Sequence, residues 1–150
     1  EGQAPTILEF TDRAYVLDGF SKRYAMTGWR LGYLICPAED LRAFQKMQQN
    51  FLISANSFVQ RAGIAALSKE GDEAVERMRQ VYGERRKLMV ELMREVGFGI
   101  PVMPQGAFYV FADASKWTDD SYAFAFELLE KAGVGVAPGV DFGTRRGSGR

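Results

Sequence analysis

The chain has 150 residues, 47% of them hydrophobic, with 19 basic and 19 acidic side chains and no histidine. That apolar content supports an ordinary core without staples, and the balanced, interspersed charges give no electrostatic footprint for nucleic acid or an anionic membrane. Without histidine, neither a Ser-His-Asp triad nor a histidine-ligated metal site can be assembled from this chain.

No apolar run approaches the roughly 18 residues that span a bilayer, and no charged-then-apolar signal segment opens the sequence. The single cysteine, Cys36, lies in the apolar run Tyr33-Leu34-Ile35-Cys36. One cysteine excludes an internal disulfide, and this setting predicts a buried thiol in a reducing, cytoplasmic compartment.

In chain order, Ala14 to Leu17 reads as a short strand. Leu31 to Cys36 reads as a second one, continuous in apolar residues as buried parallel strands are. Pro37-Ala38-Glu39-Asp40 opens a helix with proline and acids in its first turn, whose inward face would hold Leu41, Phe44 and Met47. Ser57 is placed to cap a helix from Phe58 to about Leu67, containing Ala62, Ile64 and Ala66. Gly71-Asp72-Glu73 introduces the longest element, ending near Val96 before Gly97. Along it Val75, Met78, Tyr82, Met89, Leu92, Met93 and Val96 recur at helical spacing, and about 25 residues at ~1.5 Å each make a rod of roughly 37 Å, long enough to link domains. Beyond Gly97 the texture changes to strand-like alternation from Ala107 to Ala112, then a helix from about Ser121 to Lys131 stopped by Gly133. A later strand and turn are expected at Val134 to Gly139. Thr144 to Arg150 carries no apolar residue and reads as mobile.

The segment joining the first two strands holds the chemistry. It runs Gly19-Phe20-Ser21-Lys22-Arg23-Tyr24-Ala25-Met26-Thr27-Gly28-Trp29-Arg30-Leu31-Gly32-Tyr33 and places an amine, Lys22, eight residues before a guanidinium, Arg30. A lysine that forms a Schiff base with an aldehyde cofactor must spend part of its cycle neutral, which calls for partial burial or a nearby cation. Arg23 and Arg30 are both candidates for that cation. A phosphorylated cofactor also needs an anchor, and the planar fork of arginine suits phosphate better than the point charge of lysine; Arg30 is the better placed. Gly28 and Gly32 would let the backbone turn sharply and approach a ligand. Tyr24 and Trp29 read as packing residues.

Ser21-Lys22 followed by Met26-Thr27-Gly28-Trp29-Arg30-Leu31-Gly32-Tyr33 resembles the cofactor-lysine signature of class I/II pyridoxal-phosphate aminotransferases, the aspartate aminotransferase-like enzymes of PLP fold type I. Pro104-Gln105-Gly106-Ala107-Phe108-Tyr109 is similar to that family's P-x-G-A-F-Y segment, Val134 to Gly139 to its later strand and turn, and Ser57-Phe58-Val59-Gln60 to its serine and glutamine opening a helix. The resemblance implies an α/β fold: the end of the large cofactor domain over residues 1–70, a linking helix over 71–97, and part of the small domain over 98–150. It implies pyridoxal 5'-phosphate as cofactor, Lys22 as the Schiff-base lysine and proton carrier, Arg30 and Ser21 as phosphate contacts, and Gly106 beside the substrate. Where some members have a further serine contact, this chain has Gly19. The implied activity is amino transfer between an α-amino acid and a 2-oxo acid, in a homodimer. Two alternatives stand beside it: a lyase of the same fold and cofactor, and a non-catalytic folding or dimerisation fragment. The chain reads as an internal fragment, with Arg150 just short of the position of the substrate-carboxylate arginine.

Overall fold

The computed structural model describes residues 4–143; the expected mobile tail from Thr144, with Arg150, lies outside the described residues. The chain divides into two units, one ending at Gln80 and the other beginning at Val81, and the division falls inside a long helix.

In the first unit, β1 (Val16–Gly19) and β2 (Gly32–Ile35) pair antiparallel, with Gly19 opposite Gly32 and Val16 opposite Ile35. The expected buried parallel strand is therefore corrected on both counts. The two strands close on each other through their glycines: a Cβ on Gly32 would stand 3.2 Å from the Asp18 carbonyl, and one on Gly19 would stand 3.3 Å from that of Leu31. Burial does not follow the pleat: Val16 and Leu34 are half-buried, whereas their cross-strand partners Ile35 and Leu17 are exposed, Leu17 at 81%, and so is Tyr33. A continuous apolar run does not by itself reveal whether one face or two will be covered. Cys36 just beyond is half-buried, not fully buried as expected.

Between the strands run α1 (Phe20–Arg23) and a 3-10 turn (Thr27–Trp29). After β2, a 3-10 turn (Ala38–Asp40) leads into α2 (Leu41–Phe51). Of its expected inward face, only Phe44 is half-buried, edge-on to Tyr15 at 5.8 Å between ring centroids; Leu41 and Met47 are each 51% exposed. In α3 (Ser57–Ala66), Asn56 holds the N-cap position and Ser57 is the first helical residue, so the expected serine cap moves by one. The side-chain Nε2 of Gln60 donates to the Ala55 carbonyl at 2.7 Å and ties the helix to its preceding loop. Val59 and Gly63 are the buried positions of α3. A Cβ on Gly63 would fall 2.6 Å from Leu31 Cδ2 and 3.7 Å from Phe20 Cζ, so the helix approaches β2 and α1 over a glycine.

The corner between α3 and α4 (Lys69–Val96) is tighter still. Ser68 caps the new helix by accepting from the Gly71 amide at 3.3 Å, which satisfies one of the open N–H groups of the first turn. A Cβ on Gly71 would stand 2.1 Å from the Ala66 carbonyl oxygen. Along the helix the bidentate pair of Arg79 with Glu76, each bond 2.8 Å, holds the Glu76 carboxyl well below its usual range, at about 2. At the far end, Gly97 sits at φ +108°. Its amide reaches the Met93 and Arg94 carbonyls at 3.1 and 3.0 Å, and that of Phe98 reaches Met93 at 2.9 Å, the paired bonds of a Schellman stop. The expected helix and its stop are both present. Its apolar stripe is only partly covered: Val90 is buried and Met93 half-buried, but Tyr82, Met89 and Leu92 stay about half exposed.

In the second unit, α5 (Ser121–Ala132) is capped by the Asp120 carboxylate, which accepts from the Tyr122 and Ala123 amides, and stopped by Gly133 at φ +66°. The strands expected at Ala107 to Ala112 and after Val134 do not form. Among the described residues this unit holds only the isolated antiparallel bridge of Gly99 with Asp113. The alternation survives in burial, since Val110 and Ala112 are half-buried and Tyr109 and Phe111 exposed, but a strand is defined by a partner, not by its side chains. These extended segments instead line a cavity of about 380 Å3 with Met93, Phe124 and Leu128.

Gly71→Ala forces a methyl group into the backbone of α3 and is expected to destabilise the fold by about 1–3 kcal/mol, the range for overpacking; chemical denaturation measures it, and an unchanged midpoint would refute the steric account of the corner.

Candidate active site

The loop from Gly19 to Gly32 is built by local bonds that leave it little freedom. The Phe20 amide donates to the Leu31 carbonyl at 3.1 Å and extends the β1–β2 ladder by one bond. The amides of Tyr24, Ala25 and Met26 turn back onto Phe20, Lys22 and Ser21 at 3.1–3.3 Å, and that of Trp29 onto Met26 at 3.2 Å. Two sharp changes of direction separate these turns. They fall on Ala25 and Arg30, both at φ +54°, and not on Gly28 or Gly32 as expected. Gly28 has nothing within 4 Å of a Cβ and is under no steric demand, whereas Gly32 is required by its close approach to the opposite strand. A non-glycine residue in the left-handed region is costly, and here one of the two is Arg30 itself.

Beneath the loop, Phe20 and Met26 are buried with Val59 of α3. Phe20 stacks against Tyr24 at 5.2 Å and meets Tyr33 edge-on at 5.9 Å, and Trp29 lies edge-on to Phe58 at 6.3 Å. Tyr24 and Trp29 thus pack, as their sequence reading holds. With Phe20 pointing inward, its neighbours Ser21, half-buried, and Lys22, exposed, turn outward.

Ser21, Lys22 and Arg30 line one open depression of about 610 Å3, with Arg23, Asp18 and Gly32 on its rim. The three cofactor residues expected from the sequence are therefore brought together. Arg30 is held by a bond from Nη1 to the Thr27 carbonyl at 3.1 Å, and it also borders a second depression with Asn56 and Phe58. Arg23 reaches Asp72 at 3.8 Å and lies 5.6 Å from the centre of the Tyr24 ring. Asp18 was not singled out by its sequence context, yet it organises the edge of the site. One carboxylate oxygen accepts from the Gly19 amide at 2.7 Å and the other from the Tyr33 hydroxyl at 3.2 Å. Partial desolvation and then that bond push the Tyr33 hydroxyl pKa upward. Its place at the last paired position before Gly19 is the only sequence signal that marks it. Three of the other five lysines have ordinary settings: Lys87 and Lys131 pair with Glu84 and Glu127 at 2.9 and 2.7 Å, and Lys116 lies over Trp117. Gly106 belongs to the second unit, where nothing stands within 4 Å of a Cβ position.

An amine, a hydroxyl and a planar guanidinium facing one depression form a donor set suited to an aldehyde that also bears a phosphate. The residues present fit a cofactor of that chemistry, such as pyridoxal 5'-phosphate.

Residues 3–150 match the model of the family described as aminotransferase class I and II, and the chain belongs to that family, which is pyridoxal-phosphate-dependent and of the α/β fold type I. It is 41% identical over 134 residues to the valine–pyruvate aminotransferase of Mycobacterium tuberculosis, covering 89% of this chain and 34% of that protein. It is 43% identical over 147 residues to an aspartate aminotransferase of Pyrococcus horikoshii, covering 97% and 37%. Its structure superimposes on a crystal structure of an aminotransferase from Mycobacterium tuberculosis with a TM-score of 0.90 at 38% identity, covering 98% of this chain and 38% of that one. The chain spans little more than a third of the length of the curated relatives it matches.

The left-handed Arg30 trades backbone comfort for a positioned guanidinium. Arg30→Gly is therefore expected to raise stability by about 1 kcal/mol, read by thermal unfolding, while pyridoxal-phosphate binding falls; a lower melting temperature would show that the bond to Thr27 outweighs the strain.

Proposed function

We propose that the complete protein is a pyridoxal-phosphate-dependent aminotransferase that moves an amino group between an α-amino acid and a 2-oxo acid. The observation that carries this reading is the convergence of Lys22, Ser21 and Arg30 on one depression, and the names of the relatives support it. When bound, the cofactor supplies an electron-withdrawing ring that stabilises negative charge at the substrate α-carbon.

Lys22 Nζ would hold the aldehyde end of the cofactor and, as an amine, would carry a proton at that end, first as base and then as acid. It lies on the exposed side of a four-residue helix. Arg30 would fix the phosphate through its planar fork, and Ser21 would donate its hydroxyl to the same group. Gly106, with open space where a side chain would stand, lets the substrate pass close to the backbone.

Residues 1–70 form the end of a large cofactor domain, 71–97 a linking helix, and 98–150 part of a small domain. The position of the division at Gln80 and Val81, inside α4, supports that arrangement. The complete protein acts as a homodimer in the cytoplasm; the half-buried cysteine of this chain fits a reducing compartment. No helix among the described residues is long and apolar enough to cross a membrane.

Lys22→Ala in the complete protein is expected to abolish turnover, with keto-acid formation from amino-acid donors as the assay; near-normal activity would sink the assignment, and ammonia release without amino transfer would redirect it to a lyase. Arg30→Ala is expected to weaken pyridoxal-phosphate binding by about 1.5–3 kcal/mol, the scale of a hydrogen bond to a charged group, and titration of the cofactor reads the difference.

A further inference from the structure

The second unit contains a strained turn with a cation attached to it. Ala107 sits at φ +60°, a conformation that L side chains rarely adopt and that persists only where its surroundings enforce it. Just before it, the Pro104 carbonyl accepts from Nη1 of Arg86 at 2.9 Å. Arg86 is half-buried on α4, eighteen residues away in sequence. A half-buried guanidinium directs its donors in a fixed plane, and this one gives Nη1 to a backbone carbonyl of the Pro104–Ala107 segment.

The exit of the turn is gripped as well. The rings of Phe108 and Tyr109 stack at 4.5 Å, and Tyr109 meets Phe142 edge-on at 6.2 Å. Pro104 restricts its own φ at the entry. The turn is thus held at both ends, while Gly106 between them is left open, with nothing within 4 Å of where its Cβ would be. That is the arrangement expected when backbone atoms are presented to a ligand: fixed supports on either side and an unobstructed middle.

We infer that Arg86 is a positioning residue, which clamps the Pro104–Ala107 turn in its strained form and thereby sets the affinity for the amino-acid substrate. The inference rests on the reading of Gly106 as substrate-facing. Arg86 touches neither the reacting atoms nor the cofactor, so its loss is expected to act on substrate binding and not on the chemical step. Lysine cannot replace it fully, because a point charge on a flexible stem lacks the planar fork that aims a donor at one carbonyl.

The test uses the complete cofactor-loaded enzyme with three variants, Arg86→Ala, Arg86→Lys and Gly106→Val. Arg86→Ala is expected to raise KM for the amino donor about tenfold with kcat nearly unchanged, the pattern of lost binding that is shared by ground and transition states. Arg86→Lys is expected to give a smaller rise in the same direction, and it serves alone if the alanine variant does not fold. A general loss of folded enzyme would instead lower apparent kcat and leave KM alone, and that result overturns the proposal. If Gly106→Val raises KM but the Arg86 variants do not, the clamp is refuted and the substrate-facing reading survives. If Gly106→Val leaves KM unchanged, that reading fails and takes the clamp's role in binding with it.

Discussion

The antiparallel pairing of β1 with β2 is the constraint on which the site depends. Lys22 and Arg30 are separated by enough chain to wander, and closing such a loop costs entropy before any ligand arrives. The ladder supplies that closure. Gly19 and Gly32 face each other across it, and the Phe20 amide adds one more bond to Leu31, so both ends of the loop are fixed by backbone bonds within a few ångströms. What remains between them is short enough to be filled by turns, and the turns determine which way each side chain leaves the backbone.

Packing then sorts the loop into an inside and an outside. Phe20 is drawn under it by Tyr24, Tyr33 and the bare backbone of Gly63 on α3. Once Phe20 is inward, the helical rotation of α1 sends the next two residues to the other side, where Lys22 is exposed beside Ser21. The same economy operates at Arg30, whose left-handed backbone turns its side chain back toward the depression that Lys22 lines. An unfavourable dihedral angle persists only where its surroundings hold it in place. Here the surroundings include the bond to the Thr27 carbonyl.

The second unit repeats the theme with different parts. Its helices are defined locally, by the Schellman stop at Gly97 and by the Asp120 cap and Gly133 stop of α5. Its extended segments have only one bridge between them among the described residues, and they are held by side chains: aromatic contacts at Tyr109 and Phe142, and a guanidinium on the Pro104 carbonyl. In a unit where the ladder does so little, a polar tie to the backbone carries more of the shape than it would in a sheet.

Helix existence and type were legible in the sequence because their signals are local. Gly97 and Gly133 stop α4 and α5 where a periodic run ends, since a left-handed residue needs no distant partner to be favoured. The proposed cofactor residues, Lys22, Ser21 and Arg30, were singled out through the resemblance of their segment to the family signature, and the fold brings the three to one depression. Tertiary structure decided the rest. Whether Leu31 to Cys36 pairs parallel or antiparallel, and which of its faces is covered, depends on the strand brought beside it. Whether Ala107 to Ala112 becomes a strand depends on a neighbour that alternation alone does not provide. The sharp turns around Lys22 fall on Ala25 and Arg30, not on the glycines, because the bonds that force those angles come from the ladder and from the 3-10 turn. The roles of Asp18 and Arg86 arise only when residues distant in sequence meet. A residue's chemistry is a property of its side chain, but its partner is a property of the fold.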